Sequence, residues 1–188
     1  MIKVTDPHLH LFNLSQGEYG WLQPTKGPDW PDKSKLLCDF KESDLSMNNP
    51  LCLAGYVHIE AGFNNDQSWL EVDWVEGQAI LPVRTIGCVD LCLDPTQFID
   101  QLTELARRSS LVGVRHIFDD QLNRILSHPN TIPNLHVLES EGFVFELQFN
   151  ATQLSEVDQV VRALKKVPSL SVVLNHQGFG SSALSHNM

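Results

Sequence analysis

Residues 143–149 read FVFELQF, a stretch in which apolar and polar side chains alternate. Side chains two apart on a β-strand point the same way, so the aromatic and aliphatic residues share one face while Glu146 and Gln148 share the other. A central strand of a doubly wound sheet has helices on both faces and is nearly all apolar. The stretch therefore predicts a strand with one apolar face and one face that carries polar groups near its carboxyl end.

Five further apolar runs accompany this strand, at residues 2–12, 52–61, 83–93, 111–118 and 170–176. From the second run onward the remaining five runs begin at 52, 83, 111, 143 and 170, which gives spacings of 31, 28, 32 and 27 residues. Apolar residues at helical spacing lie between the runs, at Phe98, Leu102 and Leu105 and again at Leu154, Val157, Val161 and Leu164. This period indicates repeated βα units.

Strands that alternate with helices predict an α/β fold with a parallel sheet, either open and doubly wound or closed as a (β/α)8 barrel. Polar residues on one strand face, as in residues 143–149 and at His58 and Glu60 of YVHIEA (56–61), favour the barrel. A complete barrel needs about 250 residues. The 188 residues therefore predict an incomplete (β/α)8 TIM-barrel fold, with about six of the eight βα units in one domain spanning residues 1–188.

Two segments depart from the period. Residues 16–51 are long for a βα connection, so we expect either an extended loop over the barrel mouth or a packed surface insertion. Residues 179–188, which are small and polar, are expected to form an irregular tail.

The amino-acid composition indicates which classes of partner and which cellular location to expect. Thirteen Lys and Arg residues stand against 23 Asp and Glu residues, a net charge of −10, so nucleic acid and anionic membranes are poor partners. No run of 18 apolar residues and no signal-peptide pattern is present, which predicts a cytoplasmic protein. The four cysteines lack CxxC spacing and are expected to be reduced and mostly buried.

The first run ends in Asp6-Pro7-His8-Leu9-His10, where alternate residues share one face. In a barrel that face is the lumen, and two neutral imidazoles held there are typical ligands of a divalent cation. Two histidines on a surface strand remain the alternative. A catalytic zinc site usually has three protein ligands, and His176 at the end of the sixth run is the best third candidate, although a hydrogen-bonded loop histidine is also compatible.

Arg115 ends the fourth run and would place a guanidinium at the rim. Such a group suits a substrate carboxylate or a developing oxyanion. A structural salt bridge from Arg115 to Glu60 or Glu146 is an equally open alternative.

Six motifs stand in order at matching distances: DPHLHLF (6–12), HIEAG (58–62), GCVDL (87–91), LVGVRHIFDD (111–120), FELQF (145–149) and VVLNHQG (172–178). In this order the sequence resembles the amidohydrolase-related TIM-barrel hydrolases, and within them the lactonase branch of 2-pyrone-4,6-dicarboxylate, sulfomuconolactone and fuconolactone hydrolases. The resemblance extends from Val4 to about Gly178. It implies a distorted (β/α)8 barrel and hydrolysis of a small carboxylated or sugar-derived lactone.

The resemblance also implies roles for residues. His8 and His10 match the family's strand-one HxH pair, and His176 matches the histidine of its strand-six motif, so the three would be catalytic and would hold a divalent metal, zinc or manganese, in those members that bind one. Arg115 matches the arginine that binds substrate carboxylate or carbonyl groups. Gln148 falls at a substrate-contact position. With His58 and Glu60 on the neighbouring strand, these residues form the expected substrate-binding set.

The sequence departs from the family at one point. The family's general base is a strand-eight aspartate, and no residue here matches it; Asp119 and Asp120 are not placed to substitute for it. We therefore expect hydrolysis of a small-molecule substrate to be impaired in this chain, which is interpreted as C-terminally truncated. The alternatives are a non-catalytic barrel that binds a metal or ligand or that assembles with a partner, for which a homodimer is one option, and a decarboxylase on the same scaffold.

Overall fold

The protein is described by a computed structural model over residues 1–23, 25–26 and 32–178. These residues form two compact units. Unit 1 comprises Met1–Cys88 and Thr103–Val112, and unit 2 comprises Val89–Leu102 and the chain from Gly113 onward. The predicted irregular tail at residues 179–188 lies outside the described residues.

Strands and helices alternate through the described residues, as the sequence period predicts. The strands are β1 Ile2–Leu9, β2 Leu51–Ile59, β3 Val83–Cys88, β4 Leu111–Ile117, β5 Val144–Gln148 and β6 Ser171–Leu174. The helices are α1 Trp69–Gln78, α2 Pro95–Ala106, α3 Leu122–Ser127, α4 Thr131–Glu141 and α5 Leu154–Leu164. Short 3-10 turns lie at Gly20–Leu22, Lys33–Leu36, Glu42–Asp44, Asp119–Gln121 and Asn175–Gly178. None of the helices in the described ranges is long and apolar enough to cross a bilayer.

In unit 1, β1 pairs with β2 and β2 pairs with β3, both in parallel. The β1–β2 register shifts between Asp6 and Leu9, so the ladder is irregular where β1 ends. Because parallel strands point the same way, the residues that follow β1 and β2 emerge at one end of this sheet. That end carries His10 and Glu60.

In unit 2, β4 pairs with β5 and β5 pairs with β6, again in parallel. Arg115 is opposite Glu146, and Ile117 is opposite Gln148. Phe145 and Leu147 are buried, as the alternation in residues 143–149 predicts, and Phe145 packs against Phe118 with ring centroids 6.2 Å apart. Each of the six strands takes part in at least one of these parallel pairs, and this confirms the α/β class.

The two helices read from apolar spacing are both present. Asp94 caps α2 by accepting the Thr96 backbone N–H at 3.0 Å, and Pro95 occupies the first helical position, where no N–H is needed. The apolar residues at helical spacing in α2 form its buried face, since Phe98, Leu102 and Leu105 are all buried.

The apolar residues at helical spacing in α5 are not its buried stripe. Leu154 is 82% exposed and Val161 is exposed, whereas Val160 and Ala163 are buried, as is Val167 after the helix. Leu154 is the first residue of α5, and the buried stripe begins six residues later, at helical spacing along 160, 163 and 167.

The described parts of residues 16–51 are packed. Phe12 and Phe40 form an antiparallel bridge, and Phe12, Tyr19 and Leu22 share an apolar cluster with Phe63. Glu42 accepts hydrogen bonds from the Tyr56 hydroxyl and from the backbone of residues 80 and 81. Of the two alternatives for this segment, this packing favours the insertion held against unit 1.

The prediction of mostly buried cysteines is wrong. All four are free thiols, but Cys38 is exposed and Cys52, Cys88 and Cys92 are half-buried. Burial still raises the pKa of the Cys92 thiol, and the charge of Asp90 adds to this.

Candidate functional site

The HxH pair lies where β1 ends. His8 is on β1 and His10 follows its last residue, and their ring centroids are 5.1 Å apart in an edge-to-face arrangement. His10 Nδ1 lies 2.8 Å from the Ile59 carbonyl oxygen. A carbonyl only accepts, so Nδ1 carries the proton and, in the neutral ring, the lone pair is on Nε2. The two imidazoles therefore converge, as the strand alternation predicts.

His58 and Glu60 lie at the end of β2, and both are buried. His58 Nδ1 accepts the Leu11 backbone N–H at 3.2 Å, and His58 Nε2 is 3.0 Å from Glu71 Oε1. With 1% exposure and both ring nitrogens bonded inside unit 1, His58 offers no atom to a substrate. The geometry therefore makes His58 a structural residue that bonds Leu11 and Glu71, not the substrate-binding residue that was expected. Glu60 accepts the Gly62 N–H at 3.2 Å and remains in the expected substrate-binding set.

Unit 2 carries a second polar group at the ends of β4 and β5. Arg115 is 4% exposed, and its Nη1 donates to Gln148 Oε1 at 3.4 Å. Gln148 Nε2 donates in turn to Asp119 Oδ2 at 3.3 Å. The structure therefore brings Arg115 and Gln148 together, and the amide of Gln148 is oriented by a cation on its oxygen side and a carboxylate on its nitrogen side.

Asp119 is the unexpected member of this group. Its φ of +30° lies in the left-handed region, which non-glycine residues rarely adopt and which Asp and Asn tolerate best. Burial raises the pKa of its carboxyl, and the charge of Asp120 adds to this, while the hydrogen bond from Gln148 and the charges of Arg115 and His176 oppose it.

His176 lies in unit 2 but not on a strand. β6 ends at Leu174, and His176 occupies the 3-10 turn that follows, exposed and with φ +52°. The expectation that His176 continues the strand face of Val172 and Leu174 is wrong, because the chain turns at Asn175. Asn175 is the buried residue there, and its Nδ2 donates to Glu146 Oε2 at 2.9 Å.

Sequence reasoning missed three polar residues that shape these groups: Glu71, Asp119 and Asn175. Glu71 had a detectable signal, since it lies in α1 one helical turn before Val75 on the face that Val72 and Val75 bury. A carboxylate on an apolar helix face needs an internal partner. Nothing in the spacing around Asp119 or Asn175 shows that the chain turns there.

A catalytic zinc site usually has three protein ligands. Within residues 1–23, 25–26 and 32–178, no group of three or more His, Cys, Asp or Glu side chains is arranged to hold a metal ion. The His8–His10 pair does fit as two ligands, because the bond from His10 Nδ1 to a backbone carbonyl is the orientation that metal-binding histidines commonly have. His8 and His10 belong to unit 1 and His176 belongs to unit 2.

The chain is an α/β protein whose polar residues cluster at the carboxyl ends of parallel strands. Active sites of α/β enzymes typically lie at this position. Comparison with known families makes this specific. The amidohydrolase family matches residues 5–187, nearly the whole chain, so the chain belongs to that family.

Three solved structures share the fold. Amidohydrolase 2 from Bifidobacterium longum subsp. infantis aligns with a TM-score of 0.67 at 18% identity, covering 95% of this chain and 63% of its own. A putative 2-pyrone-4,6-dicarboxylic acid hydrolase from Pseudomonas putida aligns with a TM-score of 0.56 at 21% identity, covering 93% and 57%. An amidohydrolase from Burkholderia multivorans, crystallised with bound zinc, aligns with a TM-score of 0.55 at 15% identity, covering 92% and 68%. The chain thus spans 57–63% of the length of the first two.

Proposed function

We propose that this amidohydrolase acts on a small lactone, a carboxylated or sugar-derived cyclic ester, and that its six βα units correspond to six of the eight of a (β/α)8 barrel. The observation that carries the proposal is Arg115, a guanidinium 4% exposed at the end of β4 with Gln148 beside it. A buried guanidinium suits a carboxylate or the oxyanion of a carbonyl under attack. The name of the Pseudomonas putida neighbour, a putative dicarboxylic acid hydrolase, agrees with such a substrate.

In this proposal Arg115 binds the carboxylate or carbonyl oxygen of the lactone, and Gln148 orients the ring through its amide. Glu60, which follows β2, is the further substrate-binding residue of this proposal. Water adds to the lactone carbonyl, the ring C–O bond breaks, and the leaving oxygen takes up a proton, which yields a hydroxy acid. His8, His10 and His176 would hold a divalent metal, which when bound polarises the carbonyl and lowers the pKa of water.

No residue of these 188 matches the family's strand-eight aspartate, and we propose that the chain by itself turns over slowly. A cytoplasmic location and a small-molecule partner remain part of the same proposal. The net charge of −10 is consistent with a small-molecule partner, because it disfavours binding to nucleic acid and to anionic membranes.

Hydrolysis is tested with 2-pyrone-4,6-dicarboxylate and with a simple aldonolactone, each followed by acid release in weakly buffered solution containing zinc or manganese. Arg115→Lys should abolish turnover of the dicarboxylate, because lysine cannot make the bidentate contact. Arg107→Lys is the matched control, since Arg107 is exposed and pairs with Glu104 on α2. Equal turnover in both variants would contradict the role of Arg115.

The same assay separates the alternatives. Release of carbon dioxide without ester cleavage indicates a decarboxylase. Calorimetric binding of the dicarboxylate without any turnover indicates a binding protein.

Metal content is tested by elemental analysis of protein purified without chelator. We expect about one equivalent of zinc or manganese. The metal should be lost in His8→Ala and His176→Ala and retained in His136→Ala, because His136 is an exposed histidine on α4. A metal-free wild-type protein that still hydrolyses a lactone would support the metal-independent mechanism.

A further inference from the structure

Glu71 is a carboxylate placed inside unit 1. It lies on α1, is 2% exposed, and receives three hydrogen bonds from the end of β2 and the loop that follows. His58 Nε2 lies 3.0 Å and the Ala61 backbone nitrogen 2.7 Å from Oε1, and the Phe63 backbone nitrogen lies 3.4 Å from Oε2. A buried carboxylate is costly unless it is hydrogen-bonded, so these contacts explain how Glu71 is tolerated.

The protonation of His58 follows from its two partners. The Leu11 backbone N–H can only donate, so His58 Nδ1 must accept. The ring proton is therefore on Nε2 and is donated to Glu71. The contact is accordingly a hydrogen bond from a neutral imidazole to a carboxylate rather than an ion pair.

Two hydrogen bonds join the end of β1 to the end of β2 at this point. The Leu11 N–H goes to His58 Nδ1, and His10 Nδ1–H goes to the Ile59 carbonyl. The backbone ladder is irregular just before, where the register shifts between Asp6 and Leu9. The position of His10 therefore depends on these bonds, and Glu71 holds the ring that makes one of them.

We propose that Glu71 is a positioning residue for the His8–His10 pair: it fixes His58 in the Nε2–H tautomer, and through His58 it holds the chain at Leu11 and His10. The residue itself touches neither substrate nor metal. The metal arm of the test rests on the proposed function, since it assumes that His8 and His10 are ligands, whereas the tautomer arm does not.

The tautomers are measured by long-range nitrogen–proton NMR correlation of the histidine rings, with no metal and no substrate present. In the wild-type protein His58 should be protonated on Nε2 and His10 on Nδ1. Glu71→Ala should turn His58 into a mixture of tautomers and speed hydrogen exchange at the Leu11 amide. Wild-type tautomers and wild-type Leu11 exchange in a folded Glu71→Ala protein would overturn the proposal.

Glu71→Gln keeps the test decisive if the alanine variant does not fold. The glutamine carbonyl can still accept from His58 and Ala61, but its amide nitrogen faces the Phe63 N–H, which then has no acceptor. We expect the His58 tautomer to be retained and exchange at Phe63 to increase. A glutamine variant with unchanged Phe63 exchange overturns the assignment of these bonds.

Zinc binding is measured by calorimetry on the full chain. Loss of a group bonded directly to a metal ligand typically weakens metal affinity by about 10–100-fold. Glu71 acts one contact further out, through His58, so we expect a loss of up to about 10-fold for Glu71→Ala and a smaller one for Glu71→Gln. Glu76→Gln is the control on the same helix, because Glu76 accepts the Ser110 N–H at 2.7 Å in another part of unit 1. Equal zinc affinity in the alanine variant and the wild type overturns the proposal. If the wild type binds no zinc, the metal part of the proposed function fails, and the tautomer measurement decides this inference.

Discussion

The hydrogen bonds of the Glu42 carboxylate hold residues 16–51 to unit 1, and removing this carboxylate tests that packing most directly. Its carboxylate accepts the Tyr56 hydroxyl at 2.9 Å, the Ile80 N–H at 3.0 Å and the Leu81 N–H at 3.2 Å. Glu42→Ala removes all three acceptors. Ile80 is 89% exposed, so its N–H is rehydrated at little cost, whereas Tyr56 is 1% exposed and Leu81 is half-buried.

The expected loss of stability is therefore carried by two donors. A hydrogen bond to a charged group contributes about 1.5 kcal/mol or somewhat more, which gives a loss of about 3 kcal/mol for Glu42→Ala. For a protein of this size that lowers Tm by about 6–12 °C. Tyr56→Phe removes one donor and should cost about 1–1.5 kcal/mol.

The assay is urea unfolding at pH 7 of the two single variants and the double variant. Because Glu42 and Tyr56 share one bond, the double variant should lose about 1 kcal/mol less than the sum of the single losses. Glu141→Ala, at an exposed position on α4, is the control and should change the free energy of unfolding by less than about 0.5 kcal/mol. Additive losses for Glu42 and Tyr56, or a loss at Glu42 no larger than at Glu141, would refute this account of the packing.

Three further predictions concern unit 2. Burial raises the pKa of Asp119, so the folded state binds more protons there and the free energy of unfolding falls as pH rises from about 4 through the raised pKa. Asp119→Asn should remove this contribution to the pH dependence in urea unfolding across pH 3–7, and an unchanged pH dependence would contradict it. Asn134 Nδ2 donates to the Leu91 and Leu93 carbonyls at 3.0 and 2.9 Å, so Asn134→Ala should lower the free energy of unfolding by about 2 kcal/mol, measured by thermal unfolding. A loss below about 0.5 kcal/mol would show that water replaces both bonds. The exposed apolar side chains of β6 favour a homodimer, which light scattering coupled to size exclusion should detect, and a monomer at all concentrations argues against it.

The sequence predicted the fold class because the signal lies in local periodicity. A strand–helix period near 30 residues survives errors of two or three residues at each boundary, and a strand overlaps each of the six runs in the structure. The apolar positions of α5 were a weaker guide, because the buried stripe at 160, 163 and 167 is offset from the apolar residues at 154, 157, 161 and 164 although both sets have helical spacing. Amphipathicity shows that a helix has a buried face, but neighbouring elements determine which residues it includes.

The sequence by itself determined the α/β class, the family and the pairing of His8 with His10, since these depend on strand alternation and on motifs in order along the chain. Only the tertiary structure showed that both ring nitrogens of His58 are hydrogen-bonded inside unit 1 and that His176 lies beyond the end of its strand. It also showed that Glu71 and Asp119 belong to the polar groups. The physical reason is that hydrogen-bond partners are set by distance in space. Glu71 lies 13 residues from His58 and Asp119 lies 29 residues from Gln148, and no local pattern records that folding joins them.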